Sequence, residues 1–149
     1  MDKLFNGKIK SVIRDSLRLE EALSASEKKF TYNSDFLSND NFQNHLELYQ
    51  GYLKNFNTVS AKLDTADKEN VNCNHSEFRS LKLDETFNMN GVYLHELYFA
   101  NIGDVNSEIK MDSLAYMRLA RDFGSFDAWQ KDFMACSAAS QCGWAVTYL

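Results

Sequence analysis

The sequence contains no proline, only three cysteines and only six glycines, and nothing in it accounts for the missing proline. No apolar run approaches the roughly 18 residues that a membrane-spanning helix needs, so we expect no membrane protein. The first twenty residues carry charges throughout, which excludes a secretory signal peptide with an apolar centre. The cysteines are odd in number and lack paired metal-ligand spacing, which favours reduced thiols in a cytoplasmic protein.

Positive charge is also scarce, with 16 lysines and arginines against 21 acidic residues and a net charge of −5. This balance argues against non-specific binding to nucleic acid. The chain does have an ordinary share of hydrophobic residues, 44%, and a rich share of aromatic residues, 13%. A chain of 149 residues can bury a real core. We therefore expect by default one soluble globular domain whose core or pocket is aromatic.

Hydrophobic periodicity predicts that the chain is mostly α-helical. Residues 1–28 form a charged amphipathic leader, which we expect to dock on the rest of the protein. A partner-binding or membrane-surface helix and a disordered segment are the alternatives for this leader. After an extended segment at 29–38, apolar residues every three or four positions predict a helix over about 40–60, capped by Ser38 or Asn39.

The rest of the chain is predicted to contain three more helices and one strand, after a polar loop. These elements cover about residues 77–101, 113–122, 126–139 and 144–149, in that order. The first of these helices has a possible interruption near residues 82–84. Gly124 ends the second helix and Ser125 caps the third. The strand needs a partner, because an isolated strand leaves its backbone groups without hydrogen bonds.

Two histidines lie on the apolar faces of the two long predicted helices. For His45 or His95 taken alone, a hydrogen-bonded core histidine is the ordinary interpretation. Neutral imidazole also suits iron and manganese, and rigid helices would fix the geometry of a redox metal. The pair is therefore a candidate for two metal ligands. His75, by contrast, falls in the polar loop, and we expect it to be solvated.

Several segments, in their order along the chain, resemble the motifs of the iron/manganese superoxide dismutases. They surround Tyr52 and His95 and include Phe123–Ser125 and Gly143–Trp144. The resemblance covers roughly residues 30–149. It implies a helical hairpin of the superoxide dismutase type, followed by the start of an α+β domain with only its first strand present.

The resemblance also implies roles for individual residues. His45 and His95 would bind the metal, and Tyr52 would be the active-site tyrosine that holds a solvent network through its hydroxyl. Trp144 would form a wall of the metal pocket. The family's last motif, Asp-x-Trp-Glu-His, supplies two further ligands and would lie beyond Leu149, so we expect a chain that is C-terminally truncated relative to the family.

The first ligand leaves two alternatives open. In most family members that histidine precedes the tyrosine by eight residues, where this chain has Asn44, whereas His45 precedes Tyr52 by seven. Either a helical bulge brings His45 to the metal, or the first ligand is lost. Gly91, one turn before His95, occupies a place where the manganese type has glycine and the iron type often has glutamine. This residue weakly favours manganese as the metal.

The implied function is the dismutation of superoxide to dioxygen and hydrogen peroxide at one iron or manganese ion, in a cytoplasmic homo-oligomer such as a dimer. Lys54 and Lys82 would help to attract the anion. The alternative is a non-catalytic helical scaffold or interaction protein without the C-terminal ligands. The predicted organisation is a leader (1–28), a helical hairpin (29–104) and a truncated α/β domain (105–149), with neither nucleic acid nor membrane as partner.

Overall fold

The structure is a computed structural model, and it describes residues 23–32, 36–103 and 108–148. The chain divides into two compact units, of which the first ends at Gly103. The described residues form four helices, namely α1 Asn39–Thr65, α2 Glu77–Ile102, α3 Leu114–Phe123 and α4 Phe126–Ala139. The predicted mostly α-helical fold class is confirmed.

Each of these four helices begins after a serine whose hydroxyl accepts a hydrogen bond from the backbone N–H three residues later. The N-cap residues are Ser38, Ser76, Ser113 and Ser125. Such a cap satisfies one of the backbone donors that a first helical turn leaves open, and contributes about 1 kcal/mol. At the other end of α3, Gly124 adopts a φ of 82°, a left-handed conformation that favours glycine.

The first unit is built on a hairpin of α1 and α2. Phe42, near the start of α1, contacts Phe99 near the end of α2, whereas Tyr52, further along α1, contacts Phe87. The two helices are therefore antiparallel. Their buried core consists of Phe42, Tyr49, Leu53, Phe56, Val92 and Phe99. Several of these residues are spaced by seven positions, so they lie on one stripe of each helix.

Residues 23–32, which we call the strap, have no regular secondary structure and pack along this hairpin. The side-chain amide of Asn57 accepts a hydrogen bond from the N–H of Ala25 at 2.8 Å and donates one to the carbonyl oxygen of Ala25 at 3.0 Å. Phe30 stacks on Phe99 with ring centroids 4.7 Å apart. The strap is thus bonded to α1 and packed against α2.

The second unit pairs α3 with α4. Tyr116 stacks on Phe126 at a centroid distance of 4.4 Å, and Phe126 in turn contacts Trp129. The indole N–H of Trp129 donates a hydrogen bond to the hydroxyl of Thr147 at 2.9 Å, so the segment after α4 folds back on it. Leu119 is the one buried side chain among the described residues of this unit.

The interruption expected near residues 82–84 is absent, because α2 is continuous from Glu77 to Ile102. An ion pair between Lys82 and Glu85, three residues apart on the helix surface, supports this turn. Among the helices in the described ranges, none has the length and apolar character that crossing a membrane requires.

Three predictions concern parts of the chain where the structure gives limited information. The leader helix over 1–28 lies outside the described residues up to residue 22, and residues 23–28 are not helical. The strand over 144–149 stays a prediction, since residues 144–148 have no regular secondary structure and Leu149 lies outside the described part. The domain limits 29–104 and 105–149 also stay predictions.

Candidate metal centre

His95 is held on α2 in a defined orientation. Its side chain is buried, with 3% exposure, and its Nδ1 lies 2.7 Å from the carbonyl oxygen of Gly91, one turn earlier. Because a carbonyl oxygen can only accept, Nδ1 carries the proton and the lone pair of the neutral ring is on Nε2. Metal-binding histidines are commonly oriented in this way, with one nitrogen bonded to protein and the other directed to the metal.

Burial lowers the pKa of His95 from its ordinary value near 6.5. The hydrogen bond to Gly91 opposes this effect, and the neighbouring His45 ring adds a further lowering. The imidazole of His95 is therefore neutral at pH 7. A histidine must be in this neutral form to bind a metal, because the ligating nitrogen needs its lone pair.

His45 lies near His95 and is carried by a regular α-helix. α1 is α-helical throughout Asn39–Thr65, so the bulge considered as one alternative is not present. Seven residues make about two helical turns, so His45 lies on the same face as Tyr52. Its ring centroid is 5.9 Å from that of His95, and its buried Nδ1 has no hydrogen-bond partner within the described ranges.

The spacing of the two imidazole rings fits binding to a common ion. With metal–nitrogen bonds of about 2.1 Å, two such rings have centres at most about 6.4 Å apart, and the observed 5.9 Å lies below this limit. A buried nitrogen without a partner, such as Nδ1 of His45, is unfavourable unless another group binds it. Within the described parts of the chain, no three His, Cys, Asp or Glu side chains form a metal cluster. The pair therefore offers at most two ligands, and a complete metal site would need more.

Tyr52 lies beside His95 and at the same time faces a groove. Its ring centroid is 5.5 Å from that of His95 and 5.7 Å from that of Phe87. The groove is open, has a volume of about 510 Å³, and is lined by Tyr52 with other residues of α1 that include Asn44 and Glu47. A small molecule in this groove would meet the tyrosine next to the histidine pair.

Tyr98 is a neighbour of this pair to which the sequence analysis gave no role. Its ring centroid is 4.9 Å from that of His45, and burial raises the pKa of its phenol. Tyr98 follows His95 by three residues, so both lie on the same face of α2. That spacing is the signal that could have identified it.

The residue next to His95 belongs to a different set of contacts. The carboxylate of Glu96 accepts a hydrogen bond from the Tyr49 hydroxyl at 3.2 Å and one from the Lys28 ammonium at 2.5 Å. The Tyr49 hydroxyl also accepts a hydrogen bond from the backbone N–H of Lys28 at 3.0 Å. We call these three residues the strap network, because they join the strap to both helices.

The other residues singled out in the sequence have different positions. Trp144 belongs to the second unit and is 38% exposed, so its place as a wall of the pocket stays a prediction. His75 is exposed in the loop before α2, as expected. Lys82 pairs with Glu85 and lies about 20 Å along α2 from His95, which does not support a role in attracting an anion to the pair.

Known proteins with similar sequences include superoxide dismutases of both metal types. The chain is 36% identical over 118 residues to the iron superoxide dismutase of Aquifex aeolicus (strain VF5), covering 76% of this chain and 54% of that protein. It is 30% identical over 126 residues to the iron superoxide dismutase of Cupriavidus metallidurans, covering 83% and 60%. It is 32% identical over 98 residues to manganese superoxide dismutase 2 of Haloferax volcanii, covering 66% and 47%.

No family model matches the chain, and no solved structure does. The chain spans about half the length of the curated relatives it matches. Iron and manganese proteins both occur among these relatives, in organisms as different as Aquifex and Haloferax. By its sequence similarity to these proteins, the chain belongs to the iron/manganese superoxide dismutase family.

Proposed function

We propose that the chain is a superoxide dismutase-like metalloprotein that converts superoxide to dioxygen and hydrogen peroxide at a single iron or manganese ion. The observation that carries this proposal is the pair formed by His45 and His95. These imidazoles come from different helices, and their ring centroids are 5.9 Å apart. Imidazole is a suitable ligand for iron and for manganese in a redox site.

Each histidine has a distinct part in holding the metal. His95 would bind through Nε2, since its Nδ1–H is bonded to Gly91. His45 would supply a second nitrogen from α1, and further ligands would complete the site. A bound iron or manganese ion would supply the one-electron redox chemistry of the reaction.

The surrounding side chains provide the environment for that chemistry. Tyr98 and Phe99 pack against the histidine pair and limit the access of bulk water to it. The formation of hydrogen peroxide consumes two protons, and the phenol of Tyr52 can hold a proton at Oη beside His95. A tyrosine hydroxyl can donate one hydrogen bond and accept others.

Further parts of the proposal concern assembly and location. Trp144 is proposed as a wall of the pocket, and the protein as a cytoplasmic homo-oligomer, such as a dimer. Residues 29–104 are proposed as the helical-hairpin domain and 105–149 as part of an α/β domain, preceded by the leader at 1–28. The need for more ligands than the histidine pair supports a site to which other segments contribute.

Dismutation by the metal-loaded chain tests the proposal. The chain would be incubated with Fe²⁺ or Mn²⁺, freed of excess metal, and assayed by the direct loss of superoxide absorbance. We expect the loss to be catalysed by the original chain and by His75→Asn, and to fall at least a hundredfold in His45→Asn and in His95→Asn. Equal activity in all four proteins, or none in any of them, would refute the proposal.

A non-catalytic scaffold is the second candidate function. It is favoured by the observation that the described residues offer no cluster of three or more ligating side chains. This alternative predicts that the folded chain retains no iron or manganese. It also predicts that His95→Asn leaves its association with any partner unchanged, whereas the metalloprotein proposal predicts a loss of bound metal.

A further inference from the structure

Gly91 lies where α1 and α2 approach each other, and the space of its missing side chain is taken by Tyr52. A Cβ atom at position 91 would lie 2.5 Å from both Cγ and Cδ1 of Tyr52, and 2.9 Å from Cδ2. Ordinary van der Waals contact begins near 3.4 Å. Any side chain at position 91 would therefore push the tyrosine ring by about 1 Å. The conflict involves the body of the ring, which cannot bend away.

Neighbours on both sides keep the ring at this place. Phe87 lies one turn before Gly91 on α2 and meets the Tyr52 ring edge-on, at a centroid distance of 5.7 Å. His95 lies one turn after Gly91, and its ring centroid is 5.5 Å from that of Tyr52. The three residues share one face of α2 because they are spaced by four. The tyrosine ring thus occupies a notch with Gly91 at its base.

The same glycine also orients the histidine. Its carbonyl oxygen accepts the hydrogen bond from Nδ1 of His95 at 2.7 Å. Gly91 therefore acts on two residues through different atoms. Its carbonyl oxygen orients His95, and its α-carbon without a side chain makes room for Tyr52.

Helix propensity does not explain why a glycine occupies position 91. Glycine inside a helix is about 1 kcal/mol less favourable than alanine, and Gly91 lies well inside α2. Gly51, in the middle of α1, provides a comparison on the partner helix. A Cβ at position 51 would meet no atom within 4 Å, so that glycine has no packing reason of this kind.

We propose that Gly91 is a positioning residue that sets the location of the Tyr52 phenol beside His95 by providing the seat for the tyrosine ring. Its effect on chemistry rests on the proposed function, but the steric relation between the two residues does not. The relation can therefore be tested in the chain without metal.

A double-mutant cycle isolates the contact between positions 91 and 52. We expect Gly91→Ala to lower the folding equilibrium constant at least tenfold when Tyr52 is present. In a Tyr52→Ala chain the same substitution should instead raise it, because the ring is gone and alanine favours the helix. Gly51→Ala, the matched control, should raise the constant up to about fivefold in both backgrounds. An equal effect of Gly91→Ala in both backgrounds would overturn the proposal.

Proton NMR of the Tyr52 ring provides a direct measure of its position. We expect its ring signals to shift in Gly91→Ala and to stay unchanged in Gly51→Ala, while the ¹⁵N signals of His95 keep the pattern of a proton on Nδ1. Unchanged Tyr52 signals in a folded Gly91→Ala chain would show that the ring is not seated on Gly91.

Dismutation then links this position to function. In the metal-loaded chain, Gly91→Ala should lower the rate at least tenfold at unchanged metal content, and combining it with Tyr52→Ala should lower the rate no further than Tyr52→Ala alone. Additive losses would overturn the positioning role. An inactive original chain would instead refute the proposed function, and the stability cycle would still decide the steric relation.

Discussion

His95 and Glu96 are consecutive residues of α2, yet they belong to two polar sites of different character. Glu96 is part of the strap network, in which its carboxylate, the Tyr49 hydroxyl and a backbone N–H satisfy one another. His95 faces His45, whose buried Nδ1 has no hydrogen-bond partner in the described part of the protein. A closed set of hydrogen bonds stabilises a fold, whereas a buried nitrogen without a partner, such as Nδ1 of His45, needs a further group to bind it.

The two sites also differ in how burial acts on their titratable groups. Burial raises the pKa of Tyr49 and lowers the pKa of His95, so both side chains stay neutral near pH 7. In the strap network, the charge of Glu96 is compensated by Lys28, whose own pKa is raised by that carboxylate. In the histidine pair, the imidazole of His95 is neutral instead, which is the state that a metal ion requires.

Removal of the Tyr49 side chain should have the largest effect on stability. Tyr49 is completely buried at the centre of the core and bonds to both Lys28 and Glu96. We expect Tyr49→Ala to lower the free energy of unfolding by about 3–5 kcal/mol, because it creates a cavity and opens the strap network. Tyr93→Ala, on the exposed face of α2, should change it by about 0.5 kcal/mol or less. Urea denaturation followed by circular dichroism measures both.

Removal of the Tyr49 hydroxyl alone should have an intermediate effect. Tyr49→Phe keeps the ring but leaves the backbone N–H of Lys28 without its acceptor and removes one of the two donors to Glu96. We expect a loss of about 1–3 kcal/mol, the range for a buried polar group that loses its partner. Tyr93→Phe is the matched control. If the two substitutions proved equal in urea denaturation, the strap network would contribute nothing to stability.

Acid should lower the stability of the chain through protonation of His95. Well above pH 6.5 its ring is neutral in the folded and unfolded chain, so its contribution to stability is fully present. Below that pH the unfolded chain takes up the proton first, since the folded pKa is lower, and stability falls until the folded ring is protonated as well.

The pH dependence of urea denaturation in the presence of a metal chelator measures this contribution. Between pH 7.5 and pH 5, the free energy of unfolding of the original chain and of His75→Asn should fall more steeply than that of His95→Asn. His75 is exposed and therefore serves as the control. Identical slopes in the three proteins would show that burial of His95 has no influence on stability.

The smallest effect is expected at an exposed contact of the strap. Gln50 donates a hydrogen bond to the Glu27 carboxylate at 2.7 Å, and both residues are exposed to solvent. We expect Gln50→Ala to change the free energy of unfolding by about 0.5 kcal/mol or less, because water replaces the bond. A larger loss in urea denaturation would show that the strap depends on its surface contacts as well as on the buried network.

Local signals explain which parts of the fold were predictable. The apolar stripe of α1 and serines such as Ser38 and Ser125 lie within a few residues of the structure they determine, so they placed the helices well. The strap network joins residues that are up to 68 positions apart, such as Lys28 and Glu96. No periodic pattern in the sequence reports such a contact.

The candidate site was predictable to a similar extent. His45 and His95 were identified from their helix faces and from the family resemblance, and their rings lie together. The seven-residue spacing from His45 to Tyr52 already places both on one face of a regular helix, so no bulge was needed. The seat that Gly91 provides for Tyr52 could not be predicted, since it depends on how closely two distant helices approach.

The central claim is that His45 and His95 act together as ligands of one iron or manganese ion. Elemental analysis of the folded chain, purified without added chelator, tests it most directly. We predict close to one iron or manganese per chain in the original protein and in His75→Asn, and almost none in the His45→Asn/His95→Asn double variant with unchanged helical content. A folded original chain without bound metal, or equal metal content in the double variant, would contradict the claim.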